Sequence, residues 1–141
     1  MLVRATTRIS RNVRRGAHLV EFAVVVPFFF LFVLALVEFG RGLMVSSLVS
    51  NGARTGCRTG ILPGNQNTDV TAAVDNLMQG QGISGYTTAV LVNGQSVDVS
   101  KAQSGDTITV QVSVPIASVS WAPSLSFLAG NLSGQFSMPH E

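Results

Sequence analysis

Hydrophobic positions crowd the N-terminal third of the chain and thin out afterwards. From Phe22 to Val37 the sequence reads FAVVVPFFFLFVLALV, 16 residues without a charge. Extending this run to Ala17 and Phe39 gives 23 residues, in which only His18, Glu21 and Glu38 are polar. As a helix they span about 35 Å at 1.5 Å per residue, enough for a hydrocarbon core of about 30 Å. Leu43, Met44 and Leu48 keep helical spacing beyond the run. The helix is therefore expected to continue to Gly60, with Gly60 and Pro63 stopping it. ILPGNQNTD reads as a loop. A second helix is predicted over 69–79, where Val70, Ala73, Val74, Leu77 and Met78 make one apolar face. Asn67 or Thr68 would cap its start and Gly80 its end.

The period then changes to two. Segments 86–92 and 95–99 flank Asn93-Gly94, a two-residue hairpin signal. Over 107–114, Ile108, Val110, Val112 and Val114 alternate with Thr107, Thr109, Gln111 and Ser113, the pattern of a half-buried antiparallel strand. Leu132, Phe136 and Met138 suggest a last strand. Trp121 and Phe127, in a Ser-rich connection, are expected to plug the core. The fold class is α+β: a long N-terminal transmembrane helix, a second short helix and a small antiparallel β-sheet. The sheet's apolar face is expected to pack on the second helix and the outer end of the first.

Charge sharpens the membrane reading. Only 11% of the 141 residues are charged. Residues 1–16 hold Arg4, Arg8, Arg11, Arg14 and Arg15 and no acid, while the remainder sets four bases against all seven acids. This asymmetry keeps the leader cytoplasmic and sends the C-terminal region outward. Basic charge confined to the N-terminus, without interleaved aromatics, argues against nucleic-acid binding. The run admits three readings: a cleaved signal peptide, a plain signal anchor, or a cleaved leader followed by a retained helix. The first fits poorly, since the run exceeds a usual signal-peptide core and Glu38 stands where small residues should. Pro27 removes one helical N–H and should kink the helix near Ala23, which membrane helices tolerate.

Glu21, at the edge of the run, needs a partner. A cut after Gly16 would make Ala17 an α-ammonium four residues away, on the same helical face. At about 4 Å and an effective dielectric near 20, such a pair gains roughly 4 kcal/mol before desolvation. The amine could be the chain's own or that of a neighbouring helix. Without a cut, Glu21 would snorkel or pair with an upstream arginine.

These residues carry a resemblance. Gly16 followed by Glu21 at the fifth mature position resembles the cleavage signal of type IV prepilins. GAHLVEFAVVVPFFFLFVLALVEFGR, followed by NGARTGCRTG, resembles the TadE-like family, minor pilins or pseudopilins of tight-adherence (Tad/Flp) pilus systems. The resemblance covers about residues 16–60, and the closing FSMPHE is similar to a common family ending. It implies cleavage between Gly16 and Ala17 by a membrane aspartic prepilin peptidase, and a part for Glu21 in assembly. Phe22 stands where major Flp pilins usually carry tyrosine, which, with the large C-terminal region, implies a minor component. The organisation expected is a basic leader (1–16), a transmembrane and assembly helix (17–60) and an extracytoplasmic α+β head (61–141). The implied partners are membrane lipid, the peptidase, other pilins or pseudopilins and the Tad assembly platform. The implied location is a bacterial inner membrane, or a surface pilus serving attachment.

No chemistry competes with this reading. GQGISG (80–85) matches G-x-G-x-x-G, but a helix precedes it and a strand follows, the reverse of a dinucleotide site. Cys57 is the single cysteine, read as a small helix-face residue. His18 and His140 are far apart, and no Cys/His metal spacing exists. Asp69, Asp75, Asp98 and Asp106 are scattered over caps and turns. Glu38 and Arg41 are three apart and suited to pair, while Arg54 and Arg58 suit a helix C-terminus. Asn131-Leu132-Ser133 fits a glycosylation sequon, relevant only in a pathway that reads it. Neither catalysis nor a cofactor is expected. The alternative is an uncleaved, single-pass anchored binding module with a β-rich head.

Overall fold

The computed structural model describes residues 12–119 and 130–140. It is α+β. Helix α1 runs Asn12–Gly60 and α2 Asn67–Gly80. Strand β1 (Thr87–Val92) precedes a 3-10 turn (Val99–Lys101), then come β2 (Thr107–Pro115), a short helix α3 (Ile116–Val119) and β3 (Asn131–Pro139). The chain divides into two compact units between Val37 and Glu38. In the first, the described residues form a single helix that continues through Pro27. Most of the expected leader, with Trp121 and Phe127, lies outside the described residues.

The second unit is built on a three-stranded antiparallel sheet in the order β1-β2-β3. The register pairs Val90 with Val110 and Val110 with Phe136. Strand β2 is central, and the alternation expected for it is present. Ile108, Val110, Val112 and Val114 are all fully buried on one face. On the opposite side Thr109 meets Ser137, hydroxyl to hydroxyl at 2.9 Å. Over the apolar face lie Val70, Val74 and Met78 of α2 and Val45, Val49, Ala53 and Cys57 of α1, all buried.

Small residues let α1 seat this closely. A Cβ on Gly56 would stand 2.9 Å from Val74 Cγ2 and 3.0 Å from Val110 Cγ1, between α2 and the sheet. A Cβ on Gly134 of β3 would stand 2.7 Å from the Ser50 backbone nitrogen and 2.8 Å from its Cα. Helix and strand thus meet backbone to backbone at Gly134. Cys57 Sγ sits in this seam, 3.2 Å from both the Ile108 and Phe136 carbonyl oxygens.

The helix continues past the apolar run as expected. The buried stripe of outer α1 is Val45, Val49, Ala53 and Cys57, with Leu48 partly buried, whereas Leu43 and Met44 are more than half exposed. A stripe made of small residues carries too little hydrophobicity to stand out from the sequence. Two local expectations are corrected. The N-cap of α2 is Gln66, whose backbone N–H donates to the Asp69 carboxylate at 2.8 Å. Asn67 is instead drawn away, its side-chain oxygen accepting from the Val99 N–H at 3.0 Å.

The Asn93-Gly94 turn forms, with φ of +52° and +78° and a closing pair of hydrogen bonds between Val92 and Gln95. No strand over 95–99 follows it. Asn93 is tied to β2 instead: its N–H donates to the Thr107 carbonyl, and its side-chain oxygen accepts from the Thr107 N–H. The 95–99 segment leaves the sheet so that Asp98 caps the 3-10 turn and Val99 enters the core, 2% exposed.

Candidate assembly and membrane segment

The first unit differs from the second in what its apolar residues touch. Leu19, Val20, Phe22, Val24, Val25, Phe28, Phe29, Phe30, Leu31, Phe32, Leu34, Leu36 and Val37 are each more than half exposed. They occupy every side of the helix, so no single face could be buried against one neighbour. A helix hydrophobic all round belongs in lipid or among other apolar helices. Among the described residues this helix alone is long and apolar enough to cross a membrane, and none of its most apolar window is buried within the chain.

Gly16, Glu21 and Phe22 lie at the start of this surface, within about two helical turns. The side chain of Ala17 is outside the description. Among the described residues a Cβ on Gly16 would meet nothing within 4 Å, so their packing gives no reason for glycine there. Inside a helix, glycine costs about 0.8–1.0 kcal/mol relative to alanine. Phe22 is 67% exposed. Glu21 has a neighbour that spacing arguments based on Ala17 passed over: its Oε2 is 3.5 Å from Nδ1 of His18, three residues back. The signal was in the sequence, since i and i+3 share a helical face.

The carboxylates of the second unit are engaged in holding its turns. Asp75 accepts from the Tyr86 hydroxyl at 2.7 Å, tying α2 to the start of β1. Asp98 accepts from the Ser100 N–H, which holds its carboxyl below the usual range. Asp106 accepts from the Gln103 N–H and the Asn93 amide, and its carboxyl is likewise held low, chiefly by the Gln103 N–H. Among the described residues no group of three or more His, Cys, Asp or Glu side chains could hold a metal ion. The Arg41 Nε–H donates to the Val119 carbonyl. Arg54 lies over the Phe136 ring, 5.0 Å from its centroid, and Arg58 occupies the last turn of α1.

Comparison with known proteins falls on the same stretch. Residues 16–58 match the family model of TadE-like protein. This segment, about a third of the chain, is similar to TadE-like proteins. The match begins at Gly16 and ends two residues short of the end of α1, so it spans both the exposed run and the small-residue stripe. No curated protein and no solved structure matches the chain.

Proposed function

We propose that this protein is a minor pilin or pseudopilin of a Tad-type system. In this reading a membrane aspartic prepilin peptidase cuts between Gly16 and Ala17, on the cytoplasmic side of the inner membrane. The chain then assembles through its apolar helix, with the α+β unit outside, into a pilus or its initiating complex that serves attachment. Its role is structural, and its contacts are with lipid, the peptidase, other pilins and the assembly platform. The observation that carries this reading is the pair Gly16 and Glu21 at the head of an apolar helical stretch whose large side chains are more than half exposed, within a segment similar to TadE-like proteins. Among the described residues nothing lies within 4 Å of a Cβ on Gly16. A peptidase that must fit the backbone closely into its site supplies a reason for glycine, because only glycine lets another chain approach without a Cβ.

Ala17 and Glu21 then have complementary parts. The new α-ammonium neutralises Glu21 of its own or of an adjacent helix. A mismatch in register leaves a charge unpaired against lipid, which costs more than the pair gains in water. Intact mass measurement of protein taken from membranes with active prepilin peptidase should give a chain starting at Ala17, and Gly16→Ala should give one starting at Met1. Glu21→Ala should still insert but assemble poorly. A native chain that keeps Met1 would overturn the reading and leave an uncut, anchored binding module.

A further inference from the structure

The sequence holds two Asn-Gly pairs, Asn51-Gly52 and Asn93-Gly94. In such a pair the backbone nitrogen after the asparagine can attack the side-chain carbonyl carbon, since glycine has no Cβ to hinder the approach. The two pairs sit in opposite settings. Asn51 and Gly52 lie inside α1, where each backbone N–H is bonded to the carbonyl four residues back. Gly52 is also buried against Met78. Asn93 and Gly94 instead form the exposed tip of a turn, and Asn93 is the one non-glycine among the described residues with positive φ.

What holds Asn93 is its side chain. Its amide nitrogen donates to Asp106 Oδ1 at 2.8 Å, and its amide oxygen accepts from the Thr107 N–H at 2.9 Å. Asp106 is fixed in turn, its other carboxylate oxygen accepting from the Gln103 N–H at 2.8 Å. With both ends of the amide tied to residues 106 and 107, the Asn93 side chain is not free to rotate over the Gly94 nitrogen. Exposed turns open locally at little cost while the core stays shut.

We propose that Asn93 is a site of spontaneous deamidation and that its hydrogen bond to Asp106 is the restraint on the reaction. On opening, the Gly94 nitrogen gives its proton to solvent and attacks Asn93 Cγ. The Cγ–Nδ2 bond breaks, and the nitrogen leaves as ammonia with a proton from water. Water then opens the succinimide at either carbonyl, giving aspartate or isoaspartate. The net change is water in and ammonia out, with no oxidant or reductant. The product cannot restore the native turn. An ionised carboxylate at position 93 is an acceptor only, and it would face the Asp106 carboxylate to which the amide had donated. The turn is therefore protected while closed and permanently altered once it has reacted. This inference is independent of pilus assembly.

Peptide mapping by mass spectrometry tests it, on full-length protein held in micelles in mildly alkaline buffer. Asn51 is the reference for global unfolding within the same chain. Both pairs should convert readily in denaturant and slowly in the folded wild type. Asp106→Ala should speed conversion of Asn93 by roughly three- to tenfold, the share of opening that one hydrogen bond restrains, and leave Asn51 unchanged. Asp98→Ala removes another turn-capping carboxylate, one bonded to the Ser100 N–H, and should leave Asn93 at the wild-type rate. Folded Asn93 converting as fast as in denaturant, or Asp106→Ala converting at the wild-type rate, would overturn the proposal. So would Asn51 rising together with Asn93 in Asp106→Ala, because the whole fold and not that bond would then be the restraint.

Discussion

Helix α1 carries two sets of glycines, and they are spent differently. At Gly16, Gly40 and Gly42 a Cβ would meet nothing within 4 Å. At Gly52, Gly56 and Gly60 it would press into Met78, Val74, Val110, Val70 or Ile108. The same contrast appears in the larger residues. Phenylalanines and leucines of the first unit stand exposed, while the outer stretch buries Val45, Val49, Ala53 and Cys57 completely or nearly so. One helix therefore solves the burial problem in two ways. Its outer part uses small side chains and draws backbone toward a sheet and a second helix of the same chain. Its inner part uses large side chains and leaves them for a solvent or a partner that is not this chain. Function in the inner part must be sought in what surrounds it.

The comparison breaks if the second unit tolerates damage at its seam. The largest loss is expected from Met78→Ala, because Met78 is fully buried and its Cε lies 2.7 Å from where a Cβ on Gly52 would be, filling the notch that glycine leaves. Removing it should cost about 2–5 kcal/mol, read by chemical denaturation of the full-length protein in micelles. Next comes Gly134→Ala. The atoms it would strike are the backbone of Val49 and Ser50, which cannot swing aside, so overpacking of about 1–3 kcal/mol is expected. Gly52→Ala meets the flexible end of Met78 instead and should cost clearly less. Equal costs for the two glycine variants would show that α1 is not seated on β3 by backbone contact.

Much of this was legible in the residues. The 16-residue uncharged run, the Val70–Met78 face and the strict alternation around Val110 each state their environment through periodicity. The glycine ladder at 52, 56 and 60 was equally visible but is silent to a hydrophobic count, since its role is to be absent. The 95–99 segment looked like a strand because Asn93-Gly94 favours a hairpin locally. Tertiary contacts won there: Asn93 bonds to Thr107, Asn67 to Val99, and Val99 fills the core. At the candidate site, Glu21 stands out as a carboxylate at the edge of an uncharged run, whereas Gly16 is singled out by the resemblance to prepilin cleavage signals. His18 could not be weighted properly until its imidazole was seen beside the carboxylate.

A third test asks whether the polar loops of the second unit act as clamps. Asp98 and Asp106 are held by hydrogen-bond donors below their ordinary range, by the Ser100 and Gln103 N–H groups above all. A carboxyl depressed in the fold contributes stability that is complete above its unfolded value, about 3.9. That contribution is lost as pH falls from there through the folded value. The second unit should therefore weaken below about pH 4, followed by circular dichroism on acid titration, and Asp106→Asn should flatten part of that fall. Both residues are partly exposed, so high salt should reduce only the charge-dependent share, leaving the directional hydrogen bonds.

The smallest expected effect tests the other side of the comparison. Leu31 is 62% exposed and sits among large apolar residues that are each more than half exposed. If the inner stretch is finished by lipid or by other helices, Leu31→Ala should leave the denaturation midpoint of the second unit within about 0.5 kcal/mol, as for a surface site. Truncating a large side chain in a globular core would cost several times more. The variant keeps the helix, since alanine is the better helix former of the two. Any loss should instead appear as weaker association between helices in the membrane, measured by cross-linking yield in vesicles. A large drop in the stability of the second unit would mean that the apolar run serves its own chain after all, and that the division of labour along α1 is misplaced.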